Sequence, residues 1–510
     1  MMPGKLLWVL LGLIALTACS TGPRDFVQNP SRAVESPSNS RLTTAVRRLG
    51  DPRDGRSGVK LISNGEEALA ARLVLATQAD VSIDAQYYLL HNDLTGQLFA
   101  QSLLDAADRG VRVRLLLDDM DTSGYDAMTA ALDSHENIEI RLFNPFWRDQ
   151  SLLVAGLTDF KRINRRMHNK SITADNTVSI VGGRNVGDEY FLAKEEMNYA
   201  DLDILVAGPV VNEVSDNFDE YWNSEFAVPA RAVIGEPETL GLADARVRLN
   251  ALVEESLKTP YAAAVKKAAQ ENFTLSTLRL SWVPAKLYSD PPSKAAGEDN
   301  NQPILASQIV PYFQKAESSV NIISAYFVPR KRGVQWLSDL EDRGVEVRVV
   351  TNSLASNDVA PVYAHYAKER RALLDGGVEL FELRPDSDRV NQRGVNWGQS
   401  RAGLHTKAFT IDNRYLFVGS FNWDPRSVNI NTEMGVLVDS RDLTSQAIVV
   451  LDEALKENTF SVQYDEDDRV TWKSQREDGA ILLYRYEPTG SFFDHVKAGF
   501  LAILPIGSQL

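Results

Sequence analysis

Residues 166–175 read Arg-Met-His-Asn-Lys-Ser-Ile-Thr-Ala-Asp, and residues 403–412 read Gly-Leu-His-Thr-Lys-Ala-Phe-Thr-Ile-Asp. Each stretch has a histidine, a lysine two positions later and an aspartate five positions after the lysine. The two histidines, His168 and His405, are 237 positions apart (405 − 168). Because the whole chain contains only 6 histidines, two copies with identical spacing indicate an internal duplication rather than coincidence.

The duplication extends to the sequence before each motif. Residues 81–88 resemble residues 320–327, an offset of 239 (320 − 81), and each run is rich in β-forming residues with an aromatic end. Residues 109–111 (Arg-Gly-Val) resemble residues 343–345 (Arg-Gly-Val), an offset of 234 (343 − 109). Glycine at that place suits the end of a helix before a buried strand. Each half is therefore predicted to run strand, helix, strand, which is an α/β arrangement.

The side chains of the motif favour the binding of an anion. In an extended segment, residues two positions apart point to the same side, so His405 and Lys407 share one face, as do His168 and Lys170. Many of their neighbours are apolar, as in a buried strand. A buried histidine beside a buried lysine is electrostatically unfavourable alone, but an anion between them makes the arrangement favourable.

Two such motifs together provide the groups that cleavage of a phosphodiester requires. Two lysines and two amides bind the non-bridging oxygens and stabilise the charge of the transition state. One histidine attacks phosphorus and the other protonates the leaving alcohol, which gives a covalent phosphohistidine. The candidate phosphate-binding side chains are Asn185, Ser420 and Asn422. The spacing alone does not decide which histidine attacks.

These two segments resemble the duplicated signature of the phospholipase D superfamily. The resemblance implies a duplicated phospholipase D-like α/β fold, in which two α/β/α sandwich halves related by pseudo-twofold symmetry meet at a shared site. It also implies catalysis without a metal or another cofactor, with His168 as the nucleophile and His405 as the acid. The second copy matches the Gly-Ser-x-Asn of the family, whereas Gly183 stands where serine is usual.

The resemblance further implies a carboxylate that holds each catalytic histidine. Glu433 is expected to serve the second half and Asp201 the first, with Asp203 as the alternative to Asp201. The motif aspartates Asp175 and Asp412 precede asparagine at strand ends. We interpret these two as structural members of the motif that hydrogen-bond a turn, not as acid catalysts.

A second group of carboxylates ends a predicted strand of the first half. These residues are Asp118, Asp119 and Asp121. Clustered carboxylates can bind Mg²⁺, but capping of the turn is the favoured interpretation. The four histidines outside the motifs lack a comparable context and are interpreted as ordinary residues, and the resemblance implies no metal site.

Several longer segments resemble the cardiolipin synthases of the bacterial C type. These segments are residues 115–119, 141–146, 164–171, 182–191 and 419–427. The resemblance implies transfer of a phosphatidyl group from a phospholipid to the hydroxyl of phosphatidylglycerol or a related acceptor. The alternatives are a hydrolytic phospholipase D that releases phosphatidic acid, a nuclease or other phosphodiesterase, and a non-catalytic lipid-binding lipoprotein. A net charge of −15 disfavours nucleic acid as a partner, whereas a phospholipid membrane is expected.

The N-terminus carries a secretion signal. Lys5 precedes an apolar run over residues 6–16, and residues 16–19 read Leu-Thr-Ala-Cys. Cys19 is the only cysteine, so neither an intrachain disulfide nor a cysteine-based metal site is possible. The segment resembles a bacterial lipobox, which implies cleavage before Cys19 and lipid attachment to it. The protein is then a membrane-anchored, periplasm-facing lipoprotein, with the inner and the outer membrane both open.

With 510 residues, 44% of them hydrophobic, the chain is long enough for two domains with buried cores. The predicted division is a signal peptide (1–18), a flexible tether (19–45), an N-terminal half (46–238), a helical connector (239–272), a C-terminal half (273–460) and a tail (461–510). The tail ends in an apolar stretch that either docks on the core or faces the membrane.

Overall fold

The computed structural model of the protein describes residues 26–50, 54–149, 152–235, 240–274, 276–297, 302–386, 401–475, 479–490, 492–503 and 509–510. The predicted signal peptide and the lipid attachment at Cys19 lie outside these residues. Within the described ranges, no helix combines the length and the apolar content that a bilayer crossing requires.

The first half of the chain alternates between strands and helices. Its strands are β1 (Ser57–Ile62), β2 (Ser82–Tyr87), β3 (Arg112–Asp118), β4 (Ile138–Phe143), β5 (Ser171–Ala174), β6 (Val178–Gly182), β7 (Met197–Ala200), β8 (Asp203–Ala207) and β9 (Ala227–Pro229). Its helices are α1 (Arg41–Leu49), α2 (Gly65–Gln78), α3 (Leu94–Asp108), α4 (Asp126–Asp133), α5 (Leu152–Thr158), α6 (Phe160–Ile163), α7 (Val210–Trp222) and α8 (Ala230–Ile234). Asn64 and Asp93 start α2 and α3 because their side chains accept hydrogen bonds from amides of the first helical turn.

Two connector helices, α9 (Leu242–Ser256) and α10 (Pro260–Asn272), lead to the second half. The strands that follow are β10 (Ser281–Val283), β11 (Ala285–Ser289), β12 (Ser319–Ser324), β13 (Glu346–Asn352), β14 (Glu379–Leu383), β15 (Arg401–Leu404), β16 (Lys407–Ile411), β17 (Tyr415–Gly419), β18 (Met434–Asp439), β19 (Thr459–Tyr464), β20 (Val470–Gln475) and β21 (Ile481–Tyr484). The helices are α11 (Leu305–Gln314), α12 (Arg330–Glu341), α13 (Ala360–Asp375), α14 (Pro425–Asn429), α15 (Arg441–Asn458) and α16 (Phe492–Ile503).

Two large sheets share the same central order of strands. The first has nine strands in the order β10-β1-β8-β6-β5-β2-β3-β4-β9, and the second has ten in the order β11-β18-β17-β16-β12-β13-β14-β19-β20-β21. In both, three parallel strands (β2–β4 or β12–β14) lie beside an antiparallel hairpin (β5–β6 or β16–β17). The predicted duplicated α/β fold is confirmed.

The strand register shows how the two halves correspond. Ile83 lies opposite Ala174, and Val320 lies opposite Ile411. Equivalent residues therefore differ by 237 (320 − 83 and 411 − 174), as the motif histidines do. The offset of 239 suggested by the sequences of the first strands is two positions too long. Because side chains alternate with a period of two, that slip keeps inward-facing residues matched to inward-facing ones.

The halves pack against each other through the faces of the sheets. Valine side chains of β6 and β8 meet those of β17 and β18, and Val181, Val206, Val418 and Val436 have no exposed surface. A separate two-stranded parallel sheet pairs β7 of the first half with β15 of the second. The interface thus combines apolar burial with backbone hydrogen bonds, which makes the two halves one structural unit.

The segment before α1 differs from the flexible tether predicted over residues 19–45. Nε2 of Gln28 donates to the carbonyls of Trp222, Ser224 and Ala227 at 3.0–3.1 Å. The amide of Ala33 donates to Asp219 in α7. The polar composition favours disorder because little apolar surface is available for burial. In the described part of the segment, hydrogen bonds to α7 and to the residues that follow it replace that burial.

The sheets also divide the chain at a different point from the predicted boundary. β10 pairs with β1 and belongs to the first sheet, although the sequence places residues 273–460 in the second half. β11 pairs with β18, so the chain passes from one sheet to the other at Pro284. Much of the predicted tail belongs to the second sheet as β20 and β21, and α16 packs on α13 with Ala498 in the core.

Candidate active site

Each motif histidine is held by the opposite half of the chain. The amide of His168 donates to the carbonyl of Thr432 at 2.9 Å, and the amide of His405 donates to the carbonyl of Ala200 at 2.9 Å. Both imidazoles are buried, and His168 is among the groups that lower the pKa of His405. The two motifs therefore converge on one place between the halves.

The carboxylates reach the histidines in a crossed arrangement. Nδ1 of His168 lies 2.9 Å from Oε2 of Glu433, and Nδ1 of His405 lies 2.6 Å from Oδ2 of Asp201. The assignment of Asp201 to the first-half histidine and of Glu433 to the second is therefore corrected, because each carboxylate serves the histidine of the opposite half. The cause is local: β7 leads into Asp201 and pairs with β15, which leads into His405.

A carboxylate at Nδ1 sets the tautomer of each imidazole. It accepts the Nδ1 hydrogen, so that Nε2 points away from the carboxylate with its lone pair available. In this state Nε2 can attack phosphorus or carry a proton. Asp203, the alternative partner in the first half, instead lies 2.9 Å from Nη1 of Arg72 in a fully buried ion pair.

The motif lysines are buried beside the histidines. Nζ of Lys170 donates to the carbonyl of His168 at 2.6 Å, and Nζ of Lys407 donates to the carbonyl of His405. Burial holds the pKa of Lys170 well below its usual value. Burial also lowers the pKa of Lys407 to about 8, although Asp201 and Glu433 oppose that shift. A bound anion would favour the protonated lysines.

Burial is also the largest cause of the pKa shifts of the two histidines and of their carboxylates. Burial, together with the two lysines, holds the pKa of His168 and of His405 well below the usual range. Burial raises the pKa of Glu433 to about 7 and also raises that of Asp201, while the lysines act in the opposite direction. Burial therefore disfavours the charged forms of these side chains unless an opposite charge is present. For the lysines and histidines, a bound phosphate would supply that opposite charge.

Gly183 and Ser420 occupy equivalent positions with different surroundings. Oγ of Ser420 donates to Oε2 of Glu433 at 2.5 Å, so its hydrogen is directed at the carboxylate. A Cβ atom on Gly183 would lie 2.2 Å from Oδ1 of Asp201. Glycine in place of the usual serine therefore leaves the room that Asp201 needs to reach His405.

Gly183→Ala is expected to lower kcat by about 10- to 100-fold, because the added methyl displaces Asp201 and misplaces the His405 ring. Steady-state kinetics on a phospholipid substrate, together with the melting temperature, would measure this effect. Gly124→Ala is the matched control, since a Cβ there meets nothing within 4 Å. Wild-type kcat in Gly183→Ala would show that the carboxylate tolerates displacement.

The asparagine side chains that follow the two motifs have different hydrogen-bond partners. Nδ2 of Asn185 donates to the hydroxyl of Tyr190 at 2.9 Å. Oδ1 of Asn422 accepts from the amide of Tyr326, and Nδ2 of Asn422 has no hydrogen-bond partner among the described residues. Both side chains are buried. Phosphate contact by Asn185, Ser420 and Asn422 stays a prediction, with Asn422 having the available donor.

The motif aspartates lie at the far ends of their strands from the histidines. Asp175 accepts hydrogen bonds from the amides of residues 80–82, and Asp412 accepts them from the amides of residues 317–319. Each is followed by asparagine, and both members of each pair have positive φ between 46° and 54°. The carboxylates thus join a tight hairpin turn to the start of β2 or β12, which agrees with the structural interpretation.

Asp412→Asn is expected to destabilise the fold by about 1–2 kcal/mol at pH 7 with kcat retained, because charge-assisted hydrogen bonds to three amides are weakened. Burial opposes these amides, but they hold the pKa of Asp412 below its usual value. Stability from such a group is present above the unfolded-state pKa and is lost as the pH falls through the folded-state value. The difference between wild type and variant in urea unfolding should therefore shrink below about pH 4. A large loss of kcat with normal stability would contradict the structural role.

Aromatic rings line the site, and the sequence patterns did not single them out. The ring centroid of Tyr88 lies 5.0 Å from that of His168. The centroids of Tyr190 and Tyr199 lie 5.0 Å and 5.3 Å from that of His405. All three tyrosines lie outside the His-x-Lys motifs. Tyr88 ends a predicted strand and Tyr190 lies in the family-like segment 182–191, whereas Tyr199 had no such signal.

The carboxylates at the end of β3 bind backbone and side-chain groups from other parts of the protein. Oδ2 of Asp118 accepts from the amide of Met167 at 2.8 Å and from Nε of Arg166 at 3.1 Å. Asp119 forms an ion pair with Arg148. Oδ1 of Asp118 also accepts from the amide of Met120 at 3.0 Å, which is a contact within the turn that the sequence predicted these carboxylates to cap. The longer-range contacts of Asp118 orient the residue immediately before His168.

Another group could hold a metal ion, namely His91, Asp93 and Glu189, whose ligand atoms lie within 4.8 Å of one another. Nδ1 of His91 already lies 3.4 Å from Oε1 of Glu189 as an ion pair. Turnover is expected to be unchanged in EDTA and in His91→Ala, because side chains alone supply every group of the two-histidine mechanism. Loss of activity in EDTA that Mg²⁺ restores, measured on the same phospholipid, would contradict this expectation.

The chain is similar in sequence to known proteins and to a family model. A family model described as "Cardiolipin synthase, PLD-like domain" matches residues 73–222 and 309–455, and each stretch contains one motif. Cardiolipin synthase C of Escherichia coli (strain K12) is 40% identical over 471 residues, which cover 91% of this chain and 99% of the relative. An uncharacterized protein of Helicobacter pylori (strain ATCC 700392 / 26695) is 33% identical, covering 88% of this chain and 89% of the relative.

A solved structure has the same architecture. The phosphatidylserine synthase of Haemophilus influenzae Rd KW20 superposes with a TM-score of 0.55 at 13% sequence identity. The match covers 83% of this chain and 92% of that protein. At this identity the likeness concerns the fold alone.

Proposed function

The chain belongs to the cardiolipin synthase family of phospholipase D-like proteins, and from this premise we propose that it is a phosphatidyltransferase. It moves a phosphatidyl group from one phospholipid to the hydroxyl of a second, such as phosphatidylglycerol. The observation that carries the proposal is the pair of buried imidazoles, each with a carboxylate at Nδ1 and a lysine beside it. The family match and the 40% identical cardiolipin synthase C support the choice of a phospholipid as the substrate.

In the first step, Nε2 of His168 attacks the phosphorus atom of the bound phospholipid. The bond between phosphorus and the leaving alcohol breaks as His405 gives that oxygen its proton. The negative charge of the phosphodiester raises the pKa of His405 and so favours the protonated ring. Lys170, Lys407 and the amide of Asn422 stabilise the charge on the non-bridging oxygens.

In the second step, the hydroxyl of the acceptor lipid attacks phosphorus and gives its proton to His405. The bond between phosphorus and Nε2 of His168 breaks, which returns the enzyme to its starting state. Glu433 stabilises the positive charge on His168 in the intermediate, because it accepts the Nδ1 hydrogen throughout. The net reaction of two phosphatidylglycerol molecules gives cardiolipin and glycerol.

The full chain incubated with acyl-labelled phosphatidylglycerol in vesicles is expected to form labelled cardiolipin. Phosphatidic acid as the only product would instead indicate a hydrolytic phospholipase D, since water would then be the acceptor. Cleavage of DNA without lipid turnover would indicate a nuclease, and a net charge of −15 disfavours that outcome. Lipid binding without any product would indicate a non-catalytic lipoprotein.

We also propose that Cys19 carries a lipid that anchors the enzyme to a bacterial membrane with its active site in the periplasm. The Leu-Thr-Ala-Cys segment supports this proposal, because the only cysteine of the chain lies at its end. An anchor would hold the site at the surface where its substrate is concentrated. Metabolic labelling with palmitate tests the proposal, since the label should appear in the wild type and disappear in Cys19→Ser.

A further inference from the structure

An exposed carboxylate lies near His405, and the two-step mechanism above does not use it. Asp358 is in the loop between β13 and α13. The hydroxyl of Tyr326 lies 3.0 Å and 2.9 Å from its two carboxylate oxygens, and the hydroxyl of Tyr199 donates to Oδ2 at 3.2 Å. The ring of Tyr199 lies 5.3 Å from the imidazole of His405. Two phenols thus hold this surface anion, and one of them, Tyr199, connects it to a catalytic ring.

We propose that Asp358, Tyr199 and Tyr326 form the binding site for the acceptor alcohol, with the carboxylate accepting hydrogen bonds from the hydroxyls of a glycerol head group. This inference rests on the proposed phosphatidyl transfer and names the chemistry of its acceptor. It assigns a specific place to the second substrate, separate from the groups that hold the phosphate.

The direction of proton transfer places the acceptor at His405. The residue that protonates the departing alcohol in the first step receives the proton of the incoming alcohol in the second, by microscopic reversibility. Both alcohols therefore occupy the same position against that imidazole. Asp358 is near this position, because Tyr199 donates to it and the ring of Tyr199 lies against that of His405.

The two halves differ at the position of Tyr326, so the His405 side of the active site is not equivalent to the His168 side. Tyr326 corresponds to Leu89 in the first half (326 − 237), and the amides of both residues bond the equivalent asparagines, Asn422 and Asn185. This position is an apolar leucine in the first half and a phenol in the second, and the phenol that lies against His168 is that of the neighbouring Tyr88. The His405 side is distinguished by two phenols, those of Tyr199 and Tyr326, that donate to one carboxylate.

The site favours a polyol over water or a simple alcohol. An ionised carboxylate offers about four lone-pair positions, and the two phenols together donate only two hydrogens. The carboxylate can therefore accept further hydrogen bonds. One hydroxyl of the phosphatidylglycerol head group attacks phosphorus and gives its proton to His405, and the second hydroxyl can donate to Asp358. A monohydric alcohol or a water molecule has no second hydroxyl group for Asp358 when its own oxygen attacks phosphorus, so the site promotes transfer to a polyol.

Competition between two soluble acceptors tests the inference. The full chain is incubated with acyl-labelled phosphatidylglycerol and equal concentrations of carbon-13 glycerol and 1-propanol, and the two phosphatidyl products are measured by mass spectrometry. The wild type should prefer glycerol. In Asp358→Asn the ratio of glycerol product to propanol product should fall about tenfold or more, because hydrogen bonds to a charged group are lost. Tyr326→Phe should shift the ratio in the same direction by a smaller factor.

A matched control exists at the far end of α13, the helix that follows the loop of Asp358. Asp375, at the other end of α13, accepts a hydrogen bond from the hydroxyl of Tyr464 at 2.6 Å and is also exposed. Asp375→Asn should leave the product ratio unchanged. An unchanged ratio in Asp358→Asn, with both transfer products formed, would overturn this inference and leave the proposed function standing. Absence of cardiolipin and of both transfer products from the wild-type reaction would overturn the proposed function, and this inference with it. Cardiolipin without either soluble transfer product would overturn this inference alone.

Discussion

Replacement of either His168 or His405 by alanine is expected to reduce phospholipid turnover by about 10⁴-fold or more, with the fold intact. Each half contributes one imidazole to the site, and neither ring can perform both the attack and the proton transfer. The fold should survive because the buried carboxylates keep other donors. Glu433 still accepts from Ser420 and Ser427, and Asp201 still accepts from the amide of Leu202. Product formation from labelled phosphatidylglycerol and circular dichroism measure the two quantities.

The two variants should fail at different steps. A phosphatidyl donor whose alcohol is a good leaving group, such as p-nitrophenol, needs no proton from the acid. His405→Ala should therefore still release one equivalent of p-nitrophenol and retain a covalently bound phosphatidyl group, whereas His168→Ala should do neither. The reverse pattern would make His405 the nucleophile. His365→Ala is the matched control, because His365 is also buried but, among the described residues, its side chain hydrogen-bonds only the carbonyl of Pro361. Wild-type turnover in either catalytic variant would remove the two-histidine mechanism.

The duplicated site was predictable because both copies carry the same local pattern. A histidine and a lysine two positions apart share a face in any strand, so the chemistry of the motif needs no knowledge of the tertiary structure. The division into two halves followed from similar offsets, 234 to 239 positions, between three pairs of landmarks. The structural role of Asp175 and Asp412 was predictable for a similar reason, since Asp-Asn after a strand favours a turn with positive φ.

The partner of each histidine was not predictable, because it depends on contacts between the halves. Distance along the sequence assigns Asp201 to His168, whereas the pairing of β7 with β15 brings Asp201 to His405. No local periodicity records that pairing. Tyr199 and Asp358 were missed for a related reason: they come from different halves, and neither has a motif signal. At Gln28 the sequence predicted too little structure. Its polar segment was expected to be flexible, but specific hydrogen bonds, which composition does not reveal, fix it against the first half.

The crossed arrangement leads to the second large effect. Asp201→Asn and Glu433→Gln are each expected to lower kcat by about 10²- to 10⁴-fold with little change in KM, since an amide no longer fixes the tautomer or stabilises the imidazolium. If the pairs are crossed, Asp201→Asn should fail as His405→Ala does, and Glu433→Gln should fail as His168→Ala does. The p-nitrophenyl donor distinguishes the two cases, because the burst should survive in Asp201→Asn and be lost in Glu433→Gln.

The comparison is independent of which histidine attacks. Whichever alanine variant keeps the burst, the carboxylate variant that behaves like it must be the one whose oxygen bonds that imidazole, at 2.6 Å for Asp201 with His405 and 2.9 Å for Glu433 with His168. Pairing within each half would make Asp201→Asn behave like His168→Ala, which would contradict the geometry. Asp203→Asn separates catalysis from stability: this carboxylate bonds Arg72 and not an imidazole, so its loss should lower the melting temperature more than the burst amplitude.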